Sequence, residues 1–395
     1  MSINEKSFEL GSKRSVIREL FEYGKVRKTE IGADNVFDFS LGNPSVEPPE
    51  KVKETLNKLL ATENQTLLHG YTSAQGDLAT RQAVANSLNK LCDFKIPADL
   101  IYMTCGAAAS LTVSLKAIVN NGDECIVFAP FFTEYKVFIE NAGAKIVVSE
   151  PDESNFQIDF EDLKNKITEK TKAVIINSPN NPSGVVYTTE TIVKLSEILG
   201  AKSKETGHTI YLISDEPYRE LVYNGEKIPF VMNYYDDSIV CYSYSKSLSL
   251  PGERIGYIAV SPKAKEKRLY NAVCGAGRSL GFVCAPSLFQ KLIAECAELM
   301  VDVSTYKENR DLLYENLQSF GYKCVKPDGA FYLLVNCFGD DANTFCEKAK
   351  KHELLVVPCD DFGIKGYVRI AYCVSRKTIL NSLSAFKNLA KEYTK

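Results

Sequence analysis

Seven short apolar runs, each closed by a polar or glycine-rich turn, constrain this chain more than any other feature. They are Leu100–Thr104, Ile126–Phe128, Ile146–Val148, Ala173–Ile176, Ile210–Ile213, Ile239–Tyr242 and Ile255–Val260. Several are apolar at every position, as strands covered on both faces must be. Between many of them lie helical repeats: Val84, Leu88 and Leu91, then Ile192, Leu195 and Leu199. The alternation predicts an α/β fold, a mostly parallel seven-stranded sheet between helices, in a large domain over residues 50–285. From Pro286 the character changes. Leu288, Leu292, Leu299 and Val303 predict one long helix running past Tyr306 towards Leu313. Strand candidates follow at Phe331–Val335, Leu354–Val357 and Tyr367–Ala371. Residues 1–49 are too few to bury a core of their own. With 286–395 they predict a smaller α+β domain.

Composition removes whole classes of function. Hydrophobic residues at 45% and charged residues at 25% exclude a disordered chain. The balance of 47 basic against 50 acidic residues, with no basic stripe, argues against a nucleic-acid partner. A small anion held by one or two arginines stays open. No apolar run approaches the ~18 residues of a membrane span, and the polar stretch Met1–Val16 has no secretory pattern. The expectation is a cytoplasmic protein off the membrane. None of the 12 cysteines lies in a Cys-x-x-Cys pair, and there are only three histidines, His69, His208 and His352. No metal site is expected, and the cysteines read as reduced, buried thiols.

Ligands of open α/β sheets sit beyond the carboxyl ends of the strands. After Leu100–Thr104 comes Cys105-Gly106-Ala107-Ala108-Ala109-Ser110, small residues opening a helix whose N-terminus would favour an anion. After Ala173–Ile176 comes Asn177-Ser178-Pro179-Asn180-Asn181-Pro182-Ser183-Gly184. After Ile210–Ile213 comes Ser214-Asp215-Glu216-Pro217-Tyr218, a carboxylate at a buried strand end, costly unless partnered. After Ile239–Tyr242 come Ser243, Ser245 and Lys246, with Arg254 eight residues on. Burial there would lower a lysine's pKa towards nucleophilic use. Singly, each has an ordinary structural reading: a helix-starting turn, a polar loop, a structural ion pair, a lysine reaching solvent. Together they match one demanding ligand. A lysine amine holds an aldehyde as a Schiff base, a buried carboxylate keeps a pyridine nitrogen protonated, and a helix N-terminus with an arginine holds a monophosphate. Pyridoxal 5'-phosphate needs all three.

The order and spacing of Asn180-Asn181-Pro182-Ser183-Gly184, Asp215-Glu216-Pro217-Tyr218 and Ser243-x-Ser245-Lys246-x7-Arg254-x-Gly256 resemble those of the fold-type I, class I/II aminotransferases, the aspartate aminotransferase superfamily. The resemblance runs from about Phe39 to Arg369. It implies the fold type I architecture, pyridoxal phosphate as cofactor, and a homodimer with the active site shared between subunits. By the same resemblance Lys246 forms the Schiff base and shuttles the proton, Asp215 pairs with the ring nitrogen, and Asn181 and Tyr218 bond the ring oxygen. Phe132 stacks on the ring in a chain with no tryptophan. Ala107, Ala108, Ser243 and Arg254 take the phosphate, joined by Tyr71 from the neighbouring subunit. Arg369 clamps the substrate carboxylate beside the backbone of Gly42. The implied substrates are an amino acid and a 2-oxo acid, with aspartate or glutamate and 2-oxoglutarate favoured. Arg278 lies in the region where dicarboxylate-specific relatives carry a second arginine, without a secure register. Three other readings compete: β-elimination (C–S lyase) or decarboxylation on the same scaffold, a ligand-sensing regulator, and a nucleotide-dependent Rossmann enzyme. The last two lack, respectively, room for a DNA-binding domain and a Gly-x-Gly-x-x-Gly turn.

Overall fold

The computed structural model describes residues 3–12 and 16–393. The seven apolar runs become the strands Ile101–Thr104, Glu124–Phe128, Lys145–Ser149, Thr171–Asn177, Tyr211–Asp215, Ser238–Ser243 and Gly256–Val260 of one sheet. Across the sheet the order is Ile101–Thr104, Gly256–Val260, Ser238–Ser243, Tyr211–Asp215, Thr171–Asn177, Glu124–Phe128, Lys145–Ser149. Gly256–Val260 runs antiparallel to both its neighbours, and the other pairings are parallel.

Both faces of the sheet are dry, and period-two alternation divides each strand between them. In Glu124–Phe128, Cys125 and Val127 join Leu111, Leu115 and Ile139 in one core. Ile126 and Phe128 join Leu195, Leu199 and Leu88 in the other. At ~1.5–3 kcal/mol for each large side chain buried, neither face tolerates water, which is why the strands read as unbroken apolar runs. The helix Thr189–Thr206 shows how local signals place the cover. The Thr188 side chain accepts from Thr191 N–H at its start, and Gly207 ends it with φ +73°.

Beyond the two cores of the large sheet, a separate one gathers Phe39, Leu313, Phe331, Leu333, Phe345, Ile370 and Phe386. It packs around a three-stranded antiparallel sheet of Tyr332–Asn336, Tyr367–Ala371 and Val357–Pro358. Phe37–Asp38 pairs with Leu354–Leu355, and Arg27 pairs with Glu353 at 2.6 Å, so the N-terminal segment docks here.

Three expectations change in detail. The long helix from Leu288 towards Leu313 is two helices, Ser287–Cys296 and Ser304–Ser319. The chain must cross between cores. Leu292 and Cys296 belong to a core of the large sheet and Val301 and Tyr306 to the separate one. At the crossing, Val301 N–H donates to Ser247 carbonyl, and Asp302 Oδ1, just ahead of the N-cap Val303, accepts from Ser304 N–H. Because Ser287–Cys296 packs against the large-sheet core, we propose a domain boundary after that helix rather than at 285. The single strand at Leu354–Val357 is two, in different sheets, since Leu355 and Val357 pair with different partners.

Candidate active site

The strand Tyr211–Asp215 sends Tyr211 and Ile213 into the core of the Ala107–Ile118 and Glu134–Ala142 helices. Asp215 follows the same alternation and emerges on that side. It is 4% exposed. Its Oδ2 accepts a 2.6 Å hydrogen bond from the Tyr135 hydroxyl, and its Oδ1 is buried without a partner. Burial raises its pKa to about 7, the Tyr135 bond opposes that rise, and the neighbouring Glu216 adds to it. Glu216 points the other way and pairs with Arg219. The acid therefore sits in a dry site with one oxygen committed and one idle.

Lys246 stands on the short helix Tyr244–Ser247 that closes the next strand. Its Nζ donates to Gly42 carbonyl at 2.7 Å and lies 5.4 Å from the Phe331 ring centre. Burial lowers its pKa to about 8. The Cys373 thiol pulls upward, and the Arg369 and Arg254 cations push further down. Arg369, on the strand Tyr367–Ala371, is buried at 2% exposure. It donates from Nη2 to Ser40 carbonyl at 2.6 Å and from Nη1 to Asn181 Oδ1 at 3.2 Å, and its Nε is unpartnered. Residues 181, 246 and 369 and the 40–42 segment thus converge from four distant parts of the chain. Tyr218, also buried, meets the Tyr332 hydroxyl at 3.0 Å. Burial drives its phenol well above the usual range, so it is a neutral donor.

The turn expected to bind an anion is a helix start. Gly106 caps the helix Ala107–Ile118 with φ +89° and no side-chain bond, leaving the first N–H groups, those of Ala107 and Ala108 among them, without intrahelical partners. A Cβ on Gly106 would come within 2.9 Å of Arg254 Nη2, so only glycine keeps this space open. Arg254 is exposed, is itself left-handed at φ +53°, and donates to Pro251 carbonyl at 2.9 Å. Ser243 and Ser245 share a 2.7 Å hydroxyl contact, and Ser245 Oγ lies 3.5 Å from Arg254 Nη1. Phe132 is partly buried and edge-on to Tyr135, centroids 5.7 Å apart.

Two expected residues lie apart. Tyr71 is 99% exposed. Arg278 is exposed in the last turn of the helix Leu269–Leu280, and its guanidinium has no partner among the described residues. Two residues at the site had not been singled out, Tyr135 and Tyr332, and Ser245 had been given no role. Ser245 lay inside a quoted motif. Tyr135 falls one helical turn after Phe132, a spacing that puts both on one face.

These features fit pyridoxal phosphate. The idle Asp215 Oδ1 lacks a cation, the uncapped helix and Arg254 lack an anion, and the partly desolvated Lys246 amine is poised to react with a carbonyl. Among the described residues no cluster of potential metal ligands exists, and no helix is long and apolar enough to cross a membrane.

Comparison with known proteins agrees. A family model for aminotransferases of class I and II matches residues 34–386. The chain is 33% identical over 389 residues to a probable aspartate aminotransferase of Methanocaldococcus jannaschii, covering 95% of this chain and 97% of that protein. It is 30% identical to an aspartate/prephenate aminotransferase of Thermus thermophilus, covering 87% and 88%. The crystal structure of an aminotransferase from Eubacterium rectale superposes with a TM-score of 0.98 at 56% identity over 100% of both chains. The Thermus thermophilus aspartate aminotransferase with maleate superposes at 0.82, with 27% identity over 95% and 97%.

Proposed function

The chain belongs to the class I and II aminotransferases, which depend on pyridoxal phosphate, and we propose that it works through Lys246 and Asp215 with aspartate or glutamate as amino donor. The observation that carries the residue assignment is the buried Asp215 carboxylate, one oxygen held and one unpartnered, in the same site as a lysine of lowered pKa.

Pyridoxal phosphate supplies an aldehyde that condenses with amines and a ring that takes up the electron pair left when the substrate loses its α-proton. Lys246 would hold the aldehyde carbon, and Asp215 Oδ1 would face the ring nitrogen and keep it protonated. Tyr218 and Asn181 would bond the ring oxygen, and Phe132 would cover the ring face. The N–H groups of Ala107 and Ala108, with Ser243, Ser245 and Arg254, would take the phosphate. Arg369 presents a planar fork to the substrate carboxylate, with Gly42 closing beside it. Lys246 Nζ would be the base that takes the substrate α-proton. Burial already lowers the pKa of that amine in the cofactor-free chain, which favours the neutral form a base needs.

The substrate preference draws on relatives that are aspartate aminotransferases by name, one of them solved with maleate, a dicarboxylate. The exposure of Tyr71, with Leu67 and Leu78 also exposed, supports a homodimer. In that dimer Tyr71 of each copy serves the phosphate site of the other. The twelve free cysteines suit a cytoplasmic location.

The test is spectroscopic. Single amino acids are added, without acceptor, to the protein loaded with pyridoxal phosphate. Aspartate or glutamate should bleach the visible band of the bound cofactor, and 2-oxoglutarate should restore it. Steady release of pyruvate and ammonia from one amino acid with no acceptor would overturn transamination in favour of elimination.

A further inference from the structure

Tyr135 has no place in the roles assigned above, yet its hydroxyl makes the one hydrogen bond to the Asp215 side chain among the described residues. The phenol is 1% exposed and sits in the first turn of the helix Glu134–Ala142. Its backbone N–H is tied to Phe132 carbonyl at 3.0 Å and its ring is braced edge-on by Phe132. Its position is therefore set by the same turn that carries Phe132. The groups that act on Asp215 from every side are few. Cys241 faces it from the adjacent strand, and Glu216 and Tyr218 follow it in its own segment. Burial keeps the Cys241 thiol and the Tyr218 phenol neutral, and Glu216 is paired with Arg219. Among the described residues no cation acts on Asp215, and the Tyr135 hydrogen bond favours its charged form.

Resting on the functional reading above, we propose that Tyr135 is a positioning residue for the reaction: its hydroxyl locks the Asp215 carboxylate through Oδ2, so that Oδ1 is the oxygen left for the cofactor's ring nitrogen. A carboxylate held at one oxygen keeps a single orientation about its last torsion, which otherwise has a broad, two-fold profile. Without the phenol both oxygens would be idle in a dry site. The cheaper state is then the neutral acid, which is no counter-ion for a ring nitrogen that must stay protonated.

The discriminating variant is Tyr135→Phe, which keeps the ring and removes one oxygen. Affinity of the cofactor-free protein for pyridoxal phosphate should fall about 10-fold or more, the scale of one hydrogen bond to a charged group. The pH midpoint of the bound cofactor's visible absorbance should move upward, because a less protonated ring withdraws less charge. In an Asp215→Asn background the same change should have no further effect on affinity, since its target is gone. Site-specific 3-fluorotyrosine at 135, a stronger acid and donor, should move the midpoint downward and bears on the proposal even if the phenylalanine variant fails to fold. Unchanged affinity and midpoint in Tyr135→Phe, with only a lowered melting temperature, would reduce Tyr135 to packing. A native chain that binds no pyridoxal phosphate would instead strike the functional reading itself.

Discussion

The floor and the rim of the site are built on different principles. The floor, Asp215 with Tyr135, Tyr218 and Arg369, is almost entirely buried, and its polar atoms are fixed by protein partners apart from one idle atom each on Asp215 and Arg369. At the rim Arg254 is exposed, and so are Arg278 and Tyr71, which lie apart from the site in a single copy. Buried groups cannot draw on water, so the idle atoms of the floor point to a ligand. An exposed charge is satisfied by water and waits for cofactor, substrate or a second copy.

The contrast predicts that floor variants lose chemistry even in saturating cofactor, whereas rim variants lose affinity and recover in excess. Lys246→Ala, between the two, should cost most, about 10,000-fold in turnover, since base and carbonyl partner vanish together. Recovery of turnover with added pyridoxal phosphate would break the assignment. Arg369→Lys keeps the charge but loses the fork, and KM for amino acid should rise about 100-fold with a smaller change in kcat. Asp215→Asn sharpens the comparison through pH. The folded pKa of about 7 lies above the ordinary 3.8. The folded, cofactor-free chain therefore holds the extra proton. Stability from this group is complete below about 3.8 and lost as pH rises through about 7. The asparagine variant without cofactor should melt above the native chain at pH 8, and the gap should close towards pH 4. Gly106→Ala, forced to φ +89° against Arg254, should weaken cofactor binding about 10-fold. Tyr71→Phe should be mildest, a few-fold in cofactor affinity, measured by equilibrium dialysis.

The same physics explains what was legible in the sequence. The seven strands stood out because both sheet faces are dry, and Asp215 and Lys246 stood out as polar residues ending such strands. Strand direction was not legible: Ile255–Gly256-Tyr257-Ile258-Ala259-Val260 reads alike either way, and only its turn back through Arg254 sets it antiparallel. Nor was the break between Cys296 and Ser304, because the apolar spacing is carried into two cores that meet there. The bond between Arg369 and Asn181 joins residues 188 apart, and local pattern cannot report it. Tyr135 was missed because an aromatic on a helix face looks like packing until the position of its hydroxyl is known.

The amine of Lys246 rests on Gly42 carbonyl at 2.7 Å, and Gly42 owes its missing side chain to Tyr332, whose hydroxyl fills the space a Cβ would need. An amine engaged elsewhere gives up this one hydrogen bond, while Arg369 still holds the neighbouring Ser40 carbonyl. The state of the lysine and the backbone at Gly42 are thus tied through a single contact.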